Sequence, residues 1–248
     1  MMVTKKASAL GPRQITALVR ARLQGAAAHR QRLGRPLVTL SYAQSLDGSI
    51  AARAGHPLAL SGHESLVLTH RLRAAHDAIL VGIGTVLADN PSLNVRLVPG
   101  ADPRPVVVDS RLRLPPYANL LRHGRAPWIA TGDGADPERR AALEDAGALV
   151  FPVSSQNGWV DLDSLLKCLG DKGVNSLMVE GGAQIITSFL AARLVDQVVI
   201  TLAPMLVGGL RVVDPQGPAL KPYPRLRRLL YQPLGDDLVL WGEPDWGD

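Results

Sequence analysis

The sequence predicts an α/β fold: one domain built on a mixed, mostly parallel β-sheet that is flanked by helices. From Leu37 onward, short runs of β-branched residues alternate with helical patterns, which is typical of parallel strands joined by helical crossovers. Two apolar runs near the end flank the segment 233–237 and indicate an antiparallel pair. With 248 residues and 46 % hydrophobic content, the chain can bury one full core.

The elements follow in chain order from the alternation of these patterns. Strands are predicted at 37–43, 78–81, 105–109, 128–131, 149–153, 176–179 and 197–203. Helices are predicted at 62–75, 137–146, 162–169 and 183–194. The antiparallel C-terminal strands are predicted at 227–232 and 238–241, so the sheet is expected to be mixed.

The N-terminal segment is basic and rich in alanine. The net charge of the chain is +5, but the first 35 residues hold eight Lys or Arg and no acid, so the remainder carries 19 basic against 22 acidic groups. The apolar pattern of Ile15, Leu18, Val19 and Leu23 predicts a peripheral helix. We therefore divide the chain into an extension, residues 1–34, and a folded domain, residues 35–248.

Composition excludes several classes of function. The single cysteine, Cys168, excludes an internal disulfide and zinc sites that need two thiolates, and no metal site is expected among the scattered histidines. No apolar run approaches the roughly 20 residues that span a bilayer, and none near the start resembles a signal peptide. An aromatic content of 4 % argues against a nucleic-acid stacking surface. We expect a cytoplasmic protein without membrane or nucleic-acid partners.

Two predicted strands run directly into glycines and then into a helix. The first continues as Gly82-Ile83-Gly84-Thr85 and the second as Gly181-Gly182-Ala183-Gln184. Missing side chains let a ligand approach the backbone, and free N–H groups at a helix start favour an anion. Each glycine pair alone is equally well explained as a tight turn, and neither is a complete dinucleotide fingerprint. Their occurrence together, each with a carboxylate nearby (Asp89, Glu180), predicts a nucleotide site.

Five motifs in the chain together resemble a known family. They are YAQSLDGSIA, HRLRAAHDAILVGIGTVLADNPSLNVR, RPVVVDSRLRLP, VEGG and LVDQVVITLAPMLVGG. In this order they resemble the pyrimidine reductase of riboflavin biosynthesis, in its stand-alone form. The resemblance implies a dihydrofolate-reductase-like fold, a homodimer, and reduction by NADPH of the ribosyl group in a ribosylamino-pyrimidine 5′-phosphate.

The resemblance also implies which residues bind NADPH. Ala43, Thr85 and Asp89 would contact the nicotinamide half, and Ser110 the adenosine end. The phosphates would lie in a cradle from Gly182 to Ser188. The cofactor-binding set is thus Ala43, Gly82, Gly84, Thr85, Asp89, Ser110, Gly181, Gly182, Ala183, Gln184 and Ile185. Arg111 and Arg113 are surface residues on a plain interpretation, although an arginine near the adenosine ribose often accommodates the 2′-phosphate.

Four residues correspond to substrate contacts in the family: Arg73, Leu93, Arg96 and Glu180. Their chemistry agrees, since guanidinium groups bind phosphate oxygens and a carboxylate accepts from the amino groups of a pyrimidine. Asp89 is our candidate catalytic residue and would assist protonation while hydride passes from C4 of the nicotinamide to C1′ of the opened sugar. Asp47, in Leu46-Asp47-Gly48, is better explained as a turn residue.

Some features leave alternatives open. Ser41 stands where fused bacterial deaminase-reductases carry lysine, and Pro57 and Ala59 stand where they carry serine and tryptophan. The sequence therefore does not decide whether the substrate is the diamino-pyrimidinone or the deaminated amino-uracil. A same-fold NADPH reductase of another small molecule is the first alternative. The second is a non-catalytic binding protein whose basic tail contacts nucleic acid or a partner.

Overall fold

The computed structural model describes residues 14–122 and 124–247. Residues 1–13 of the predicted N-terminal extension lie outside the described residues. The sheet at the centre of the fold has nine strands in the order β13-β14-β11-β1-β10-β4-β5-β6-β7. Their bounds are β1 Leu37–Ser45, β4 Ala78–Gly82, β5 Arg104–Val108, β6 Trp128–Thr131, β7 Leu149–Pro152, β10 Ser176–Val179, β11 Gln197–Ala203, β13 Arg225–Leu234 and β14 Asp237–Asp245.

The helices connect and cover these strands. They are α1 Gln14–Leu23, α2 Ala26–Leu33, α3 His63–Arg73, α4 Ile83–Asp89, α5 Pro137–Asp145, α6 Leu162–Asp171 and α7 Ala183–Ala191, with a short 3₁₀ helix at Asn119–Arg122. Two small accessory sheets complete the fold. One consists of β2 Ser49–Arg53, β3 His56–Pro57 and β12 Leu210–Arg211, and the other of β8 Ser155–Gln156 and β9 Trp159–Val160.

The predicted mixed, mostly parallel sheet is confirmed. Strands β11, β1, β10, β4, β5, β6 and β7 are parallel, whereas β14 pairs antiparallel with β11 and with β13. The last strand, predicted to end at residue 241, extends to Asp245, and α7, expected to reach residue 194, ends at Ala191. Arg193 adopts a left-handed φ of 56°, and the Leu194 N–H turns back to the Phe189 carbonyl, a helix-ending geometry.

The central parallel strands are buried on both faces, as expected, whereas the antiparallel edge strand β13 is mostly exposed. On one face, side chains of α6 and α7 such as Leu165, Leu169 and Phe189 pack into a large apolar core. On the other face, α1 and α3 cover the centre of the sheet, and α4 and α5 cover the side of β4 to β7. Part of the apolar run 194–207 is explained by β11, which is an interior strand between β1 and β14, whereas Met205 and Leu206 beyond it are exposed.

The described part of the N-terminal extension is packed into the domain. Ile15 and Val19 of α1 are fully buried in the core beneath α3, where the sequence predicted a peripheral helix. The side chain of Arg30 donates to the Asn175 side chain at 2.8 Å and to the Gly170 carbonyl at 3.1 Å. These hydrogen bonds hold helix α2 against the body of the protein.

Asp47 holds together the turn between β1 and β2. Its carboxylate accepts hydrogen bonds from the hydroxyls of Ser45 and Ser49 and from the backbone N–H groups of Val207 and Gly208. These bonds, that from Ser45 foremost, hold the pKa of Asp47 well below its ordinary value. The structural interpretation of the Asp-Gly turn thus agrees with the geometry. No helix in the described residues is long and apolar enough to cross a membrane.

Candidate active site

The two glycine loops lie at a reversal point of the sheet. Strand β10 lies between β1 and β4, although the chain reaches it only after β7. From β4 the chain proceeds outward to β5, whereas from β10 it proceeds to β11 on the other side of β1. Ligands of α/β sheets bind beyond the carboxyl ends of the strands at such a point. Both loops leave the sheet there, one from β4 and one from β10.

The glycines of these loops divide into two roles. A Cβ placed on Gly82 or Gly181 would lie 2.6 or 2.5 Å from the side chain of Ile185, so these two positions are glycine because Ile185 fills the space between the loops. A Cβ on Gly84 would have no neighbouring atom within 4 Å. Tight packing therefore explains Gly82 and Gly181, whereas Gly84 presents open backbone on which a ligand can lie.

The two loops are also joined by a hydrogen bond. The N–H of Gly182 donates to the Thr85 hydroxyl at 3.1 Å, which places the start of α7 beside the start of α4. Helix α7 begins after Gly182, and its N–H groups at 183–185 have no protein acceptor within the described ranges. Free N–H groups at a helix start are the donors that a phosphate needs. The arrangement fits a pyrophosphate-containing cofactor.

Arg73 and Glu180 form an ion pair at the edge of this site. Arg73 Nε donates to Glu180 Oε1 at 2.8 Å and Nη2 donates to Oε2 at 2.6 Å, while Nη1 donates to the Asn94 carbonyl at 3.1 Å. The side chains are only 12 % and 17 % exposed. Burial alone would lower the pKa of Arg73, but the charge and bonds of Glu180 raise it above its ordinary value. The two side chains are therefore closely held.

Beside this pair lies a cavity of about 400 Å³. It is lined by Arg73, Asp89, Asn90, Pro91, Ser92, Leu93, Asn94 and Arg96. Burial raises the pKa of the Asp89 carboxyl above its ordinary value. The structure thus brings four of the predicted residues, Arg73, Asp89, Leu93 and Arg96, around one space, and Glu180 is joined to them through Arg73.

The wall of the cavity is an irregular segment with unusual backbone geometry. Asn90 ends α4 with a left-handed φ of 42°, which asparagine adopts readily after a helix, whereas the left-handed φ of 54° at Leu93 is uncommon for a bulky residue. The Leu93 side chain is 2 % exposed and packs into the core beneath α4. Leu93 consequently anchors the segment with its side chain and faces the cavity with other atoms.

Two residues that support this segment were not recognised in the sequence. The backbone N–H of Arg96 donates to His70 Nδ1 at 3.1 Å, and Arg96 Nη1 donates to Asn94 Oδ1 at 3.2 Å. Burial, together with the charges of Arg73 and Arg96, lowers the pKa of His70 to about 4, so its ring is a neutral acceptor. Asn94 stands in the motif DNPSLNVR, but only the fold shows that it contacts both arginines.

The two remaining predicted cofactor residues lie on opposite sides of β10 and β4, one on β1 and one just after β5. Ala43 lies on β1 three residues past Leu40, which pairs with Val179 at the end of β10. It is therefore close to the point where Gly181 leaves the sheet. Ser110 follows β5, and its hydroxyl accepts from the Val160 N–H at 3.0 Å. Within the described ranges, no cluster of three His, Cys, Asp or Glu side chains could hold a metal ion.

Comparison with known proteins assigns the chain to a family. The RibD C-terminal domain model matches residues 36–240. A Methanothermobacter thermautotrophicus protein named 2,5-diamino-6-ribosylamino-4(3H)-pyrimidinone 5′-phosphate reductase is 40 % identical over 213 residues, which are 83 % of this chain and 97 % of that protein. An Archaeoglobus fulgidus protein of the same name is 41 % identical over 186 residues, which are 71 % of this chain and 83 % of that protein.

Solved structures show the same likeness. Acinetobacter baumannii RibD superposes with a TM-score of 0.77 at 27 % identity, over 91 % of this chain and 62 % of that one. The Saccharomyces cerevisiae riboflavin biosynthesis reductase Rib7 superposes with a TM-score of 0.70 at 28 % identity, over 92 % of this chain and 99 % of that one. The chain thus spans about three fifths of the bacterial RibD and nearly all of the yeast reductase.

The fold and the comparisons together define an α/β enzyme with a candidate site beyond the carboxyl ends of its parallel strands. The relatives are oxidoreductases by name. The chain belongs to the RibD C-terminal domain family, and the resemblance inferred from the five sequence motifs is confirmed.

Proposed function

We propose that this protein is the NADPH-dependent reductase that converts 2,5-diamino-6-ribosylamino-4(3H)-pyrimidinone 5′-phosphate to the ribitylamino compound. One observation carries the proposal: one cavity is lined by Arg73, Asp89 and Arg96, and Arg73 joins it to Glu180. Helix α4 connects the glycine loop after β4 to Asp89 at its last residue. A reductase of this substrate needs to hold a phosphate and a pyrimidine beside a nicotinamide. The cavity offers groups suited to the first two, and the glycine loops at the reversal point of the sheet offer free backbone N–H groups for the cofactor.

The geometry refines the substrate contacts that the sequence implied. Three N–H groups of Arg73 are already bonded to Glu180 and Asn94, so its main task is to orient the Glu180 carboxylate. Each Glu180 oxygen retains a lone pair that accepts from an amino group of the pyrimidine. The exposed guanidinium of Arg96, steadied by Asn94, is the phosphate-binding group of the proposal.

The residues of the two loops would hold NADPH. Its pyrophosphate would lie against the free N–H groups at 183–185, and the open backbone at Gly84 would admit the nicotinamide half. The bound cofactor supplies the hydride for the opened ribosylamine, which also takes up one proton. Asp89 is the proton donor of the proposal, because its carboxyl lines the cavity and its raised pKa favours the protonated form.

The diamino-pyrimidinone is preferred over the amino-uracil because the two archaeal relatives are named for it. The test is turnover of both ribosylamine phosphates, followed by NADPH absorbance. We expect faster reduction of the diamino compound. A tenfold preference for the uracil, about 1.4 kcal/mol, would overturn the assignment of the substrate. It would not contradict the proposed reductase activity. Turnover of neither compound by protein that binds NADPH would favour a same-fold reductase of another small molecule.

Homodimerisation and a cytoplasmic location are further parts of the proposal. A single cysteine suits a reducing compartment, and light scattering at micromolar concentration should show about twice the chain mass of 26.4 kDa. The non-catalytic alternative with a nucleic-acid-binding tail requires free basic groups. Arg30 and Arg35, however, are bonded to Asn175 and Asp196, so the described part of the segment offers that alternative little support.

A further inference from the structure

An exposed aromatic hairpin stands beside the predicted adenosine end of the site. Strands β8 and β9 form this hairpin, and the indole of Trp159 at its second strand is 50 % exposed. The hairpin is tied to the end of β5, since the Val160 N–H donates to the Ser110 hydroxyl at 3.0 Å. The hydrogen bond places Trp159 at the same edge of the sheet as the glycine loops.

The guanidinium of Arg111 lies over this ring. Its central carbon is 6.0 Å from the centroid of the Trp159 indole, within the range of a cation–π contact. No carboxylate or carbonyl of the described residues accepts a hydrogen bond from Arg111, so its donors face solvent. Arg113, two residues further along, makes no such ring contact. The ring contact therefore distinguishes two arginines that the sequence left equivalent.

The order of the strands places Arg111 along the path of an extended dinucleotide. Neighbouring strands are about 4.8 Å apart. Strand β5 adjoins β4, so its end lies one spacing from Gly82 and two spacings, about 10 Å, from the end of β10. A cofactor whose pyrophosphate lies at the start of α7 would extend its adenosine across β4 toward Ser110 and Arg111.

We propose that Arg111 binds the 2′-phosphate of NADPH and that Trp159 is the positioning residue that holds its guanidinium over the indole ring. The inference rests on the proposed use of NADPH and adds to it the group that selects NADPH over NADH. An arginine presents paired N–H donors to phosphate oxygens, and a ring beneath the guanidinium restricts its rotation without consuming those donors.

Binding of adenosine 2′,5′-bisphosphate and 5′-AMP, measured by calorimetry on the full chain, tests the assignment without the substrate. Arg111→Gln is expected to weaken the bisphosphate at least tenfold and leave 5′-AMP unchanged. The matched control, Arg113→Gln, removes the same charge two residues away and should change neither. Trp159→Ala should weaken the bisphosphate several-fold, whereas Trp159→Phe, which keeps a ring, should restore most of the affinity.

Kinetics provide a second readout. Arg111→Gln should lower the ratio of kcat/KM for NADPH to that for NADH at least tenfold, with kcat/KM for NADH preserved. An unchanged ratio, an effect of Arg113→Gln equal to that of Arg111→Gln, or a wild-type protein that binds both nucleotides equally would each overturn the inference. Wild-type protein that reduces neither pyrimidine would instead count against the proposed function.

Discussion

At the scale of single residues, the ion pair between Arg73 and Glu180 is the main difference between the site expected from the sequence and the site in the structure. The sequence implied two independent substrate contacts, but the two side chains, 107 positions apart, share two hydrogen bonds in a mostly buried place. Both carboxylate oxygens of Glu180 accept a hydrogen bond from Arg73, so Arg73 fixes the direction in which Glu180 faces the cavity.

Breaking this pair from one side should destabilise the protein. Arg73→Gln or Glu180→Gln alone leaves an uncompensated charge and is expected to cost about 2–4 kcal/mol, below the full value for completely buried pairs because both side chains retain some exposure. The double variant should cost clearly less than the sum, with a coupling of about 1 kcal/mol or more. Urea unfolding of all four proteins measures this, and strictly additive costs would contradict the pairing.

Arg96 should act on substrate affinity and hardly on stability. Its guanidinium is exposed and has one side-chain partner, Asn94. Arg96→Ala is expected to raise KM for the phosphorylated pyrimidine by the equivalent of about 1.5–3 kcal/mol, the value of a bond to a charged group. KM for NADPH should stay within twofold. A variant that binds the pyrimidine normally but loses NADPH would reverse the two halves of the site.

Replacing Asp89 by asparagine should lower the activity and raise the stability of the protein. Burial raises its pKa, so ionisation in the folded state is unfavourable, and the stability that the neutral form gives is lost as pH rises through the folded pKa. Asp89→Asn should therefore be more stable than wild type at pH 7, and the difference should vanish below the ordinary carboxyl pKa of about 3.9. Its kcat should fall at least about 100-fold. Unchanged kcat at pH 7 would exclude Asp89 as the proton donor.

At the scale of elements, the two glycine loops should differ in how well they tolerate the substitution of glycine by alanine. Gly84 has open space where a Cβ would stand and lies within α4, whereas Gly181 abuts the side chain of Ile185. A helical glycine costs stability relative to alanine. The same substitution should therefore have opposite effects on stability at the two positions.

Gly84→Ala is expected to stabilise the protein by about 0.5–1 kcal/mol and to raise KM for NADPH, because the added methyl group occupies the space proposed for the cofactor. Gly181→Ala should destabilise it, and Ile185→Ala in the same chain should recover part of the loss. Thermal unfolding and NADPH titration of these variants are the measurements. Unaltered NADPH affinity in Gly84→Ala would remove Gly84 from the cofactor site.

A buried polar chain connects α3 with three strands. The Trp241 indole N–H donates to Gln197 Oε1 at 2.9 Å, and Gln197 Nε2 donates to the Thr39 hydroxyl at 2.9 Å. That hydroxyl lies 2.7 Å from His76 Nε2, and His76 Nδ1 lies 2.7 Å from the Leu72 carbonyl. A carbonyl only accepts, so Nδ1 carries the proton and Nε2 accepts from Thr39. The chain is complete only with a neutral histidine.

The pH dependence of stability follows from this chain. Burial lowers the pKa of His76 to about 4 from 6.5, so its contribution is present above 6.5 and is lost as pH falls toward 4. His76→Gln should lose stability at pH 7 but show a shallower decline between pH 6.5 and pH 4. His56→Gln, at an exposed histidine, is the control and should decline as wild type does. The measurement is the free energy of unfolding by denaturant at several pH values. If this free energy changed equally with pH in His76→Gln and wild type, His76 would not be the source of the pH dependence.

For the whole molecule, the insertion of β10 between β1 and β4 creates the site. It places the loops after β4 and β10 side by side, and the 3.1 Å bond from Gly182 to Thr85 joins them. It also brings Glu180, from the second half of the chain, to Arg73 at the end of α3. The packing of α1 under α3, with Ile15 and Val19 fully buried, supports the same region from below.

The sequence by itself determined the mixed sheet, the family, and the type and approximate position of the nine strands of the main sheet and of five helices, but not α2, α4 or the strands of the two accessory sheets. Strands at 128–131, 176–179 and 197–203 were predicted with the bounds that the structure shows. This is possible because the periodicity of apolar residues and the chemistry of turns are local properties. The five motifs likewise retain their order along the chain, so the resemblance needed no coordinates.

Only the tertiary structure decided which residues meet and which role each glycine has. The pairing of Arg73 with Glu180, the acceptor role of His70 and the space that Ile185 fills between Gly82 and Gly181 all depend on contacts between distant segments. The type of a residue determines which bonds its side chain can form, but it does not determine which residues are its partners. The neighbours are chosen by the order of strands in the sheet, a property of the packed core as a whole that no local stretch of sequence contains.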